Sequence, residues 1–119
     1  MSEPPTVLIV DDNRALADGF ASVLSERYET LTAYTAEEAR ESLHEGIDAV
    51  LLDRRLPDAP GEELLGEIRD AEFDCRVAVI SATPPSGSLD CDTYVTKPLS
   101  GVEAVRETVA NLLGENASC

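Results

Sequence analysis

The stretch "TVLIVDD", residues 6–12, joins an apolar run of five residues to two adjacent acids. Because the run does not alternate with polar residues, it is typical of a strand buried on both faces, as in a parallel sheet covered by helices. A second run, "DAVLLD" at residues 48–53, ends in an acid in the same way. Two buried strands that end in carboxylates decide the fold class and indicate where the chemistry lies.

Strand and helix patterns alternate along the rest of the sequence. The strands are predicted at 6–10, 28–34, 48–53, 76–81 and 93–96. Helices are predicted at 14–27, from the capping box of Thr35 and Glu38 to Gly46, at 62–70, and after a second box formed by Ser100 and Glu103. The alternation predicts one α/β domain over residues 1–119, built on a five-stranded parallel sheet.

The segment between the fourth and fifth strands breaks this alternation. "TPPSGSLDCD", residues 83–92, contains paired prolines and a glycine, and Leu89 is its only large apolar residue. Two adjacent prolines are incompatible with a helix interior, and ten residues are too few for a weakly amphipathic helix. We therefore expect an irregular loop there.

The composition excludes several classes of protein. The chain carries 24 acids against 9 basic residues, a net charge of −15, and has no basic patch, which argues against direct nucleic-acid binding. It has no apolar run of membrane-spanning length and no signal peptide, so a cytoplasmic location is expected. Cys75, Cys91 and Cys119 lack metal-ligand spacing and are expected to be free thiols.

Two explanations fit the negative charge. One is an acidic surface adapted to molar salt, and the other is electrostatic steering toward a basic partner. The acids are spread along the whole chain, and eight of the nine basic residues are arginine. This distribution favours the salt-adapted surface and a halophilic source.

Polar side chains follow four of the predicted strands. Asp11 and Asp12 follow the first, Asp53 ends the third, Ser81 ends the fourth and Lys97 follows the fifth. Each alone is an ordinary turn, cap or surface residue. The carboxyl ends of parallel strands share one edge, so together these groups are expected to converge there. Three converging carboxylates repel one another, and Mg²⁺ is the cation that such hard ligands suit.

Four ordered motifs resemble those of a known family. "VDD", "LLDRRLPDAPGEELL", "VISA" and "YVTKPL" are similar to the motifs of the receiver domain of two-component response regulators. The resemblance implies a flavodoxin-like, doubly wound sheet with strand order 2-1-3-4-5. The family's fourth helix would be shortened or replaced by the loop at 83–92.

The resemblance also implies a reaction and a metal site. Asp53 would accept a phosphoryl group from the phosphohistidine of a sensor histidine kinase and become an aspartyl phosphate. Mg²⁺ would be held by Asp12 directly, by Asp11 largely through water, by Asp53 and by the backbone carbonyl of Arg55. The domain would catalyse its own phosphorylation and dephosphorylation without being a conventional enzyme.

Three further residues take roles from the same resemblance. Ser81 would hydrogen-bond the phosphoryl group, Lys97 would pair with it, and Tyr94 would be the aromatic switch residue. Lys97 is the only lysine in the chain. A compact ammonium on a flexible stem can pair with Asp53 and then with its phosphate, which the planar guanidinium of arginine does less well.

The partners and rival functions stay open at this point. The output would pass through a C-terminal domain or a downstream protein, and a homodimer is left open because the fourth helix normally belongs to the output face. The first rival is a pseudo-receiver that acts as an interaction module without phosphorylation. A metal-dependent phosphatase lacks the second acid that it would need shortly after Asp53, and a flavin-binding flavodoxin is disfavoured by the acidic first loop.

The charge yields the first testable prediction. Raising KCl from about 0.1 M to about 1 M shortens the Debye length from ~10 Å to ~3 Å, so self-repulsion weakens and the melting temperature should rise. Calorimetry over that range measures the effect. A melting temperature that is flat with salt would favour the basic partner instead.

Overall fold

The computed structural model describes residues 4–44, 46–71, 75–81, 93–96 and 102–114, which form five strands and four helices. The strands are β1 (Thr6–Val10), β2 (Glu29–Ala33), β3 (Ala49–Asp53), β4 (Arg76–Ser81) and β5 (Thr93–Thr96). The helices are α1 (Arg14–Leu24), α2 (Ala36–Ser42), α3 (Gly61–Asp70) and α4 (Val102–Leu112). Strands and helices thus alternate through β4, as the sequence predicts.

All five strands form one parallel sheet in the order β2-β1-β3-β4-β5. The register places Val10 of β1 opposite Leu52 of β3, and Asp53 opposite Ile80 of β4. The predicted α/β fold class and the flavodoxin-like strand order are therefore confirmed. The reversal of strand order between β1 and β3 puts the ends of these two strands side by side at the switch point of the sheet.

Alternate residues of the central strands enter two separate cores. One core packs α1 and α4 on the sheet and contains Val7, Ile9, Ala49, Leu51, Ala78 and Ile80. The other packs α2 and α3 on the opposite face and contains Leu8, Val10, Val50, Leu52, Val77 and Val79. A period of two in strands that are buried on both faces explains why these segments read as continuous apolar runs.

Two helices end earlier than predicted. α1 ends at Leu24 rather than near residue 27, and a turn follows in which the Leu24 carbonyl accepts bonds from the amides of Arg27 (3.0 Å) and Tyr28 (2.8 Å). Tyr28 is then buried ahead of β2 rather than within it. α2 ends at Ser42, well before Gly46, because Leu43 takes an extended conformation (φ −66°, ψ 130°) and packs on the second core.

Several predictions lie outside the described residues. They concern the loop at 83–92, the capping residue Ser100, and Cys91 and Cys119. Cys75 is buried and is not part of a disulfide. Within the described ranges, no helix combines the length and apolar character that a membrane span requires.

Candidate functional site

Three carboxylates meet where β1 and β3 end. Asp11 and Asp12 follow β1, Asp53 is the last residue of β3, and one oxygen of each lies within 4.8 Å of the other two. Asp11 is 3% exposed and Asp53 is 7% exposed, whereas Asp12 is open to solvent. These acids lie close together as predicted, because β1 and β3 are paired neighbours in the sheet.

The turn after β1 is fixed by its own polar groups. The Asp11 amide donates to the Ala33 carbonyl (3.0 Å), which continues the ladder toward β2, and Asp11 Oδ1 accepts a bond from the Asn13 amide (2.9 Å). Asn13 is the N-cap of α1, because its Oδ1 accepts from the Leu16 amide (3.1 Å). Neither Asp11 nor Asp12 is therefore the N-cap of this helix.

The loop from β3 to α3 is held by hydrogen bonds of the two residues that follow Asp53. Asp53 Oδ1 accepts from the Arg55 amide (3.1 Å), and the Arg54 amide donates to the Ile80 carbonyl on β4 (3.1 Å). The Arg54 carbonyl accepts from the Gly61 amide (2.7 Å) at the start of α3. The backbone of Arg54, directly after Asp53, is therefore anchored to β4 and to α3 at once.

Gly61 permits this close approach. A Cβ at position 61 would lie 2.8 Å from the Arg54 Cα, and it would overlap the carbonyl oxygen of Asp53. Both contacts are with backbone, which yields less readily than a side chain. A glycine at the first position of α3 is thus required by the packing of the helix against the Asp53 strand end.

Asp58 connects the same loop to α2. Its Oδ1 accepts from the Ala36 amide (2.9 Å) and its Oδ2 from the Glu37 amide (3.0 Å), so it satisfies two amides at the start of that helix. These bonds, with Ala36 the larger contribution, hold the pKa of the Asp58 carboxyl below its usual value. Thr35 caps the same helix as predicted, since its Oγ1 accepts from the Glu38 amide (3.1 Å).

Of the other predicted site residues, three lie within the described part of the chain and one lies outside it. Ser81 ends β4, next to β3, and is 2% exposed. Tyr94 lies on β5 and is half-buried, and Arg55, whose carbonyl is the predicted fourth ligand, is exposed in the loop after Asp53. Lys97 lies outside the described residues, so its predicted place beside Asp53 stays a prediction.

Arg54 is a site residue that the sequence did not predict. Its Nη1 donates to the Tyr94 hydroxyl (3.1 Å) and its Nη2 to Glu62 Oε2 (3.2 Å). The pairing with Arg54 lowers the pKa of the Glu62 carboxyl, so this pair is charged at neutral pH. The guanidinium thus joins the end of β3 to β5 and to the first turn of α3.

The donor set fits a small divalent cation. Three like charges whose oxygens lie within 4.8 Å repel one another, and a cation between them reverses the sign of that interaction. Carboxylate oxygens that leave room for water ligands match the preference of Mg²⁺, whereas Ca²⁺ takes six to eight oxygens. Asp11, Asp12 and Asp53 are the described residues that would hold such an ion.

Comparisons with known proteins agree with this geometry. The family profile described as "Response regulator receiver domain" matches residues 7–110. A Haloferax volcanii protein named "Putative transcriptional regulator" is 45% identical over 111 residues, which cover 90% of this chain and 19% of that protein. This chain therefore spans about a fifth of that relative's length.

Two solved structures show the same fold. A CheY-like receiver domain from Methanospirillum hungatei is 27% identical, with a TM-score of 0.82 over 95% of this chain and 96% of that one. The Thermotoga maritima response regulator TrrA, solved in complex with Mg²⁺ and beryllofluoride, is 32% identical, with a TM-score of 0.77 over 92% of this chain and 99% of that one.

Gly61 gives a prediction about the site's backbone. Gly61→Ala should destabilise the domain by about 1–3 kcal/mol, because the added methyl forces α3 away from the end of β3. Gly66→Ala is the matched control: it lies in the same helix with nothing within 4 Å of its Cβ position, so it should be neutral or stabilise by about 0.5–1 kcal/mol. Equal melting temperatures for the two variants would contradict the close-packing role.

Asp58 gives a prediction about pH. Because folding lowers its pKa, its stabilising contribution is present above the unfolded-state value of about 3.9 and is lost as pH falls through the folded-state value. Wild type should therefore melt above Asp58→Asn at pH 7, and the gap should narrow progressively as the pH falls below about 3.9. Asp70→Asn removes the same charge from an exposed position and controls for net charge. A gap that does not change with pH would refute the carboxylate's role.

Proposed function

The chain belongs to the response regulator receiver domain family, and on that premise we propose that Asp53 accepts a phosphoryl group from the phosphohistidine of a sensor histidine kinase in a Mg²⁺-dependent reaction. The observation that carries the proposal is the meeting of Asp11, Asp12 and Asp53 within 4.8 Å at the end of neighbouring strands. A strand-end aspartate that served only as a turn or cap residue would gain nothing from two further acids beside it, because like charges repel.

The proposed step is a transfer between two phosphoryl carriers. A carboxylate oxygen of Asp53 forms a bond to phosphorus, the bond from phosphorus to the imidazole nitrogen breaks, and the histidine leaves with its electron pair. Positioning and neutralisation of the phosphoryl oxygens supply most of the catalysis in such a transfer. The anchoring of Arg54, the next residue, to β4 and α3 keeps the nucleophile in one place without help from the substrate.

The metal ion, Ser81 and Lys97 would share the neutralisation of the negative charge on the phosphoryl group. Bound Mg²⁺ would offset the negative charge of the carboxylates and of the incoming phosphoryl group. Asp12, Asp11, Asp53 and the Arg55 carbonyl are the groups that we propose hold it. Ser81 would donate a hydrogen bond to a phosphoryl oxygen, and Lys97 would pair with the phosphate through its ammonium.

The change at Asp53 has to reach a surface that another molecule reads. We propose that Tyr94 on β5 is the switch residue for that surface. The Haloferax relative is more than five times as long as the matched segment, and its name refers to transcription, which supports an output through a further domain or a downstream protein. Direct nucleic-acid binding by this acidic domain is not part of the proposal.

Phosphorylation by a small donor tests the assignment. Acetyl phosphate with Mg²⁺ should add one phosphoryl group to the wild type and none to Asp53→Asn, as measured by intact mass. Asp48→Asn is the matched control, because Asp48 lies just before the same strand and its Oδ2 accepts from the Thr6 amide (2.8 Å) at the other end of the sheet. It should be labelled like the wild type.

Two outcomes would contradict the proposal in different ways. Undiminished labelling of Asp53→Asn would place the phosphoryl group on another residue. A wild type that binds Mg²⁺ but takes no label from acetyl phosphate or from a kinase would identify an unphosphorylated interaction module.

A further inference from the structure

The side chain of Arg54 occupies the space between the phosphoacceptor strand and β5. Its neighbours in the sheet explain how it gets there. Leu52, Val79 and Tyr94 all contact the core on the α2 and α3 face, and residue 54 follows residue 52 by one period of the strand. The Arg54 side chain therefore leaves β3 on the Tyr94 face and crosses above β4, since β4 lies between β3 and β5.

Three contacts fix the guanidinium at its far end. One nitrogen donates to the Tyr94 hydroxyl (3.1 Å), another to Glu62 (3.2 Å), and the central carbon lies 5.9 Å from the centre of the Tyr94 ring. The Arg54 side chain is only 15% exposed. A planar group with several donors can satisfy an acid and a hydroxyl at once while its face approaches a ring, which a lysine ammonium does less well.

The near end of the same residue is fixed as well. The Arg54 amide donates to β4 and its carbonyl accepts from Gly61 of α3, so its backbone moves only if those elements move. Asp53 is the residue before it. A displacement of the Asp53 backbone, or a new charge on its carboxylate, would therefore act on the Arg54 side chain, whose other end contacts Tyr94.

We propose that Arg54 is a positioning residue that holds the Tyr94 side chain and couples its position to the state of Asp53, with Glu62 orienting the guanidinium between them. The nature of the change at Asp53 rests on the proposed function, whereas the coupling between Arg54 and Tyr94 does not. The coupling makes the residue next to the phosphoacceptor part of the switch.

A double-mutant cycle tests the coupling. The full chain is titrated with beryllofluoride at saturating Mg²⁺, as wild type, Arg54→Met, Tyr94→Phe and the double variant. Both single substitutions remove the hydrogen bond between Arg54 and Tyr94, and Arg54→Met also removes the pair with Glu62. Each should change the apparent Kd by about three- to tenfold in the same direction, and the double variant should change it no further than Arg54→Met does. Single effects that multiply in the double variant, or single variants without effect, would overturn the proposal.

A second readout follows Tyr94 itself. The chain is labelled with 3-fluorotyrosine, and the resonance of residue 94 is assigned by its loss in Tyr94→Phe. Its shift on addition of Mg²⁺ and beryllofluoride should fall to about half or less in Arg54→Met. Glu62→Gln leaves Arg54 and Tyr94 in place and should reduce the shift in part, which keeps the test decisive if Arg54→Met fails to fold. An undiminished shift in Glu62→Gln and in any folded Arg54 variant would overturn the proposal.

The control is a second arginine on the same side of the sheet. Arg40 of α2 forms a bidentate pair with Glu67 of α3 (2.8 and 2.7 Å), so Arg40→Met removes an arginine–glutamate pair without removing the bond to Tyr94. It should leave the Tyr94 response and the beryllofluoride Kd unchanged. An equal effect of Arg40→Met would assign the loss to general destabilisation and overturn the positioning role.

Failure of the proposed function is seen separately. If the wild type binds neither Mg²⁺ nor beryllofluoride, the proposed function is wrong. Thermal unfolding of the same four proteins then tests the coupling between Arg54 and Tyr94. Non-additive melting temperatures then support a direct Arg54–Tyr94 interaction, and additive ones reject it.

Discussion

Repulsion among Asp11, Asp12 and Asp53 is the constraint on which the rest of this molecule depends. Burial of β1 and β3 as neighbours forces these carboxylates to within 4.8 Å of one another. Each buried Leu, Ile or Val of these strands contributes about 1.5–3 kcal/mol of transfer free energy, so the two cores can hold the acids together against their repulsion. The fold thus creates a site of concentrated negative charge, which a divalent cation and a phosphoryl-transfer reaction can use.

The loop after Asp53 keeps that site in one geometry. Gly61 lets α3 approach the strand end, Asp58 fastens the loop to α2, and Arg54 extends from it to β5. These residues lie within nine positions of Asp53, yet they connect it to three different elements. In the reaction that we propose, a nucleophile fixed from several sides would need little reorganisation when it attacks phosphorus, which is the condition for catalysis by positioning.

The sequence alone predicted the fold well because the buried strands carry their signal locally. Continuous apolar runs marked β1, β3 and β4, and the acids that follow two of them marked the edge where the site lies. Helix ends were less predictable, since Leu24 and Leu43 end their helices through contacts with the turn and the core rather than through a glycine.

The residues missed at the site fall into two groups. Asn13 carried a local signal, because asparagine ahead of a helical pattern favours an N-cap. Asp58 and Arg54 carried none: their partners Ala36 and Tyr94 lie 22 and 40 positions away, and only the folded sheet brings them together. Long-range polar pairs of this kind are set by tertiary structure and not by any sequence period.

The surface charge and the site respond differently to salt. At about 1 M ionic strength the Debye length is ~3 Å, so exposed acids that lie farther apart than this hardly interact. Pairs in contact, such as Arg40 with Glu67 or Arg106 with Glu26 (2.8 Å), persist as hydrogen bonds whose geometry arginine suits. Asp11 and Asp53 are buried, and buried charges are screened much less. Concentrated monovalent salt therefore relieves the repulsion across the surface more than it relieves the repulsion at the buried Asp11 and Asp53, where the divalent ion that we propose would act.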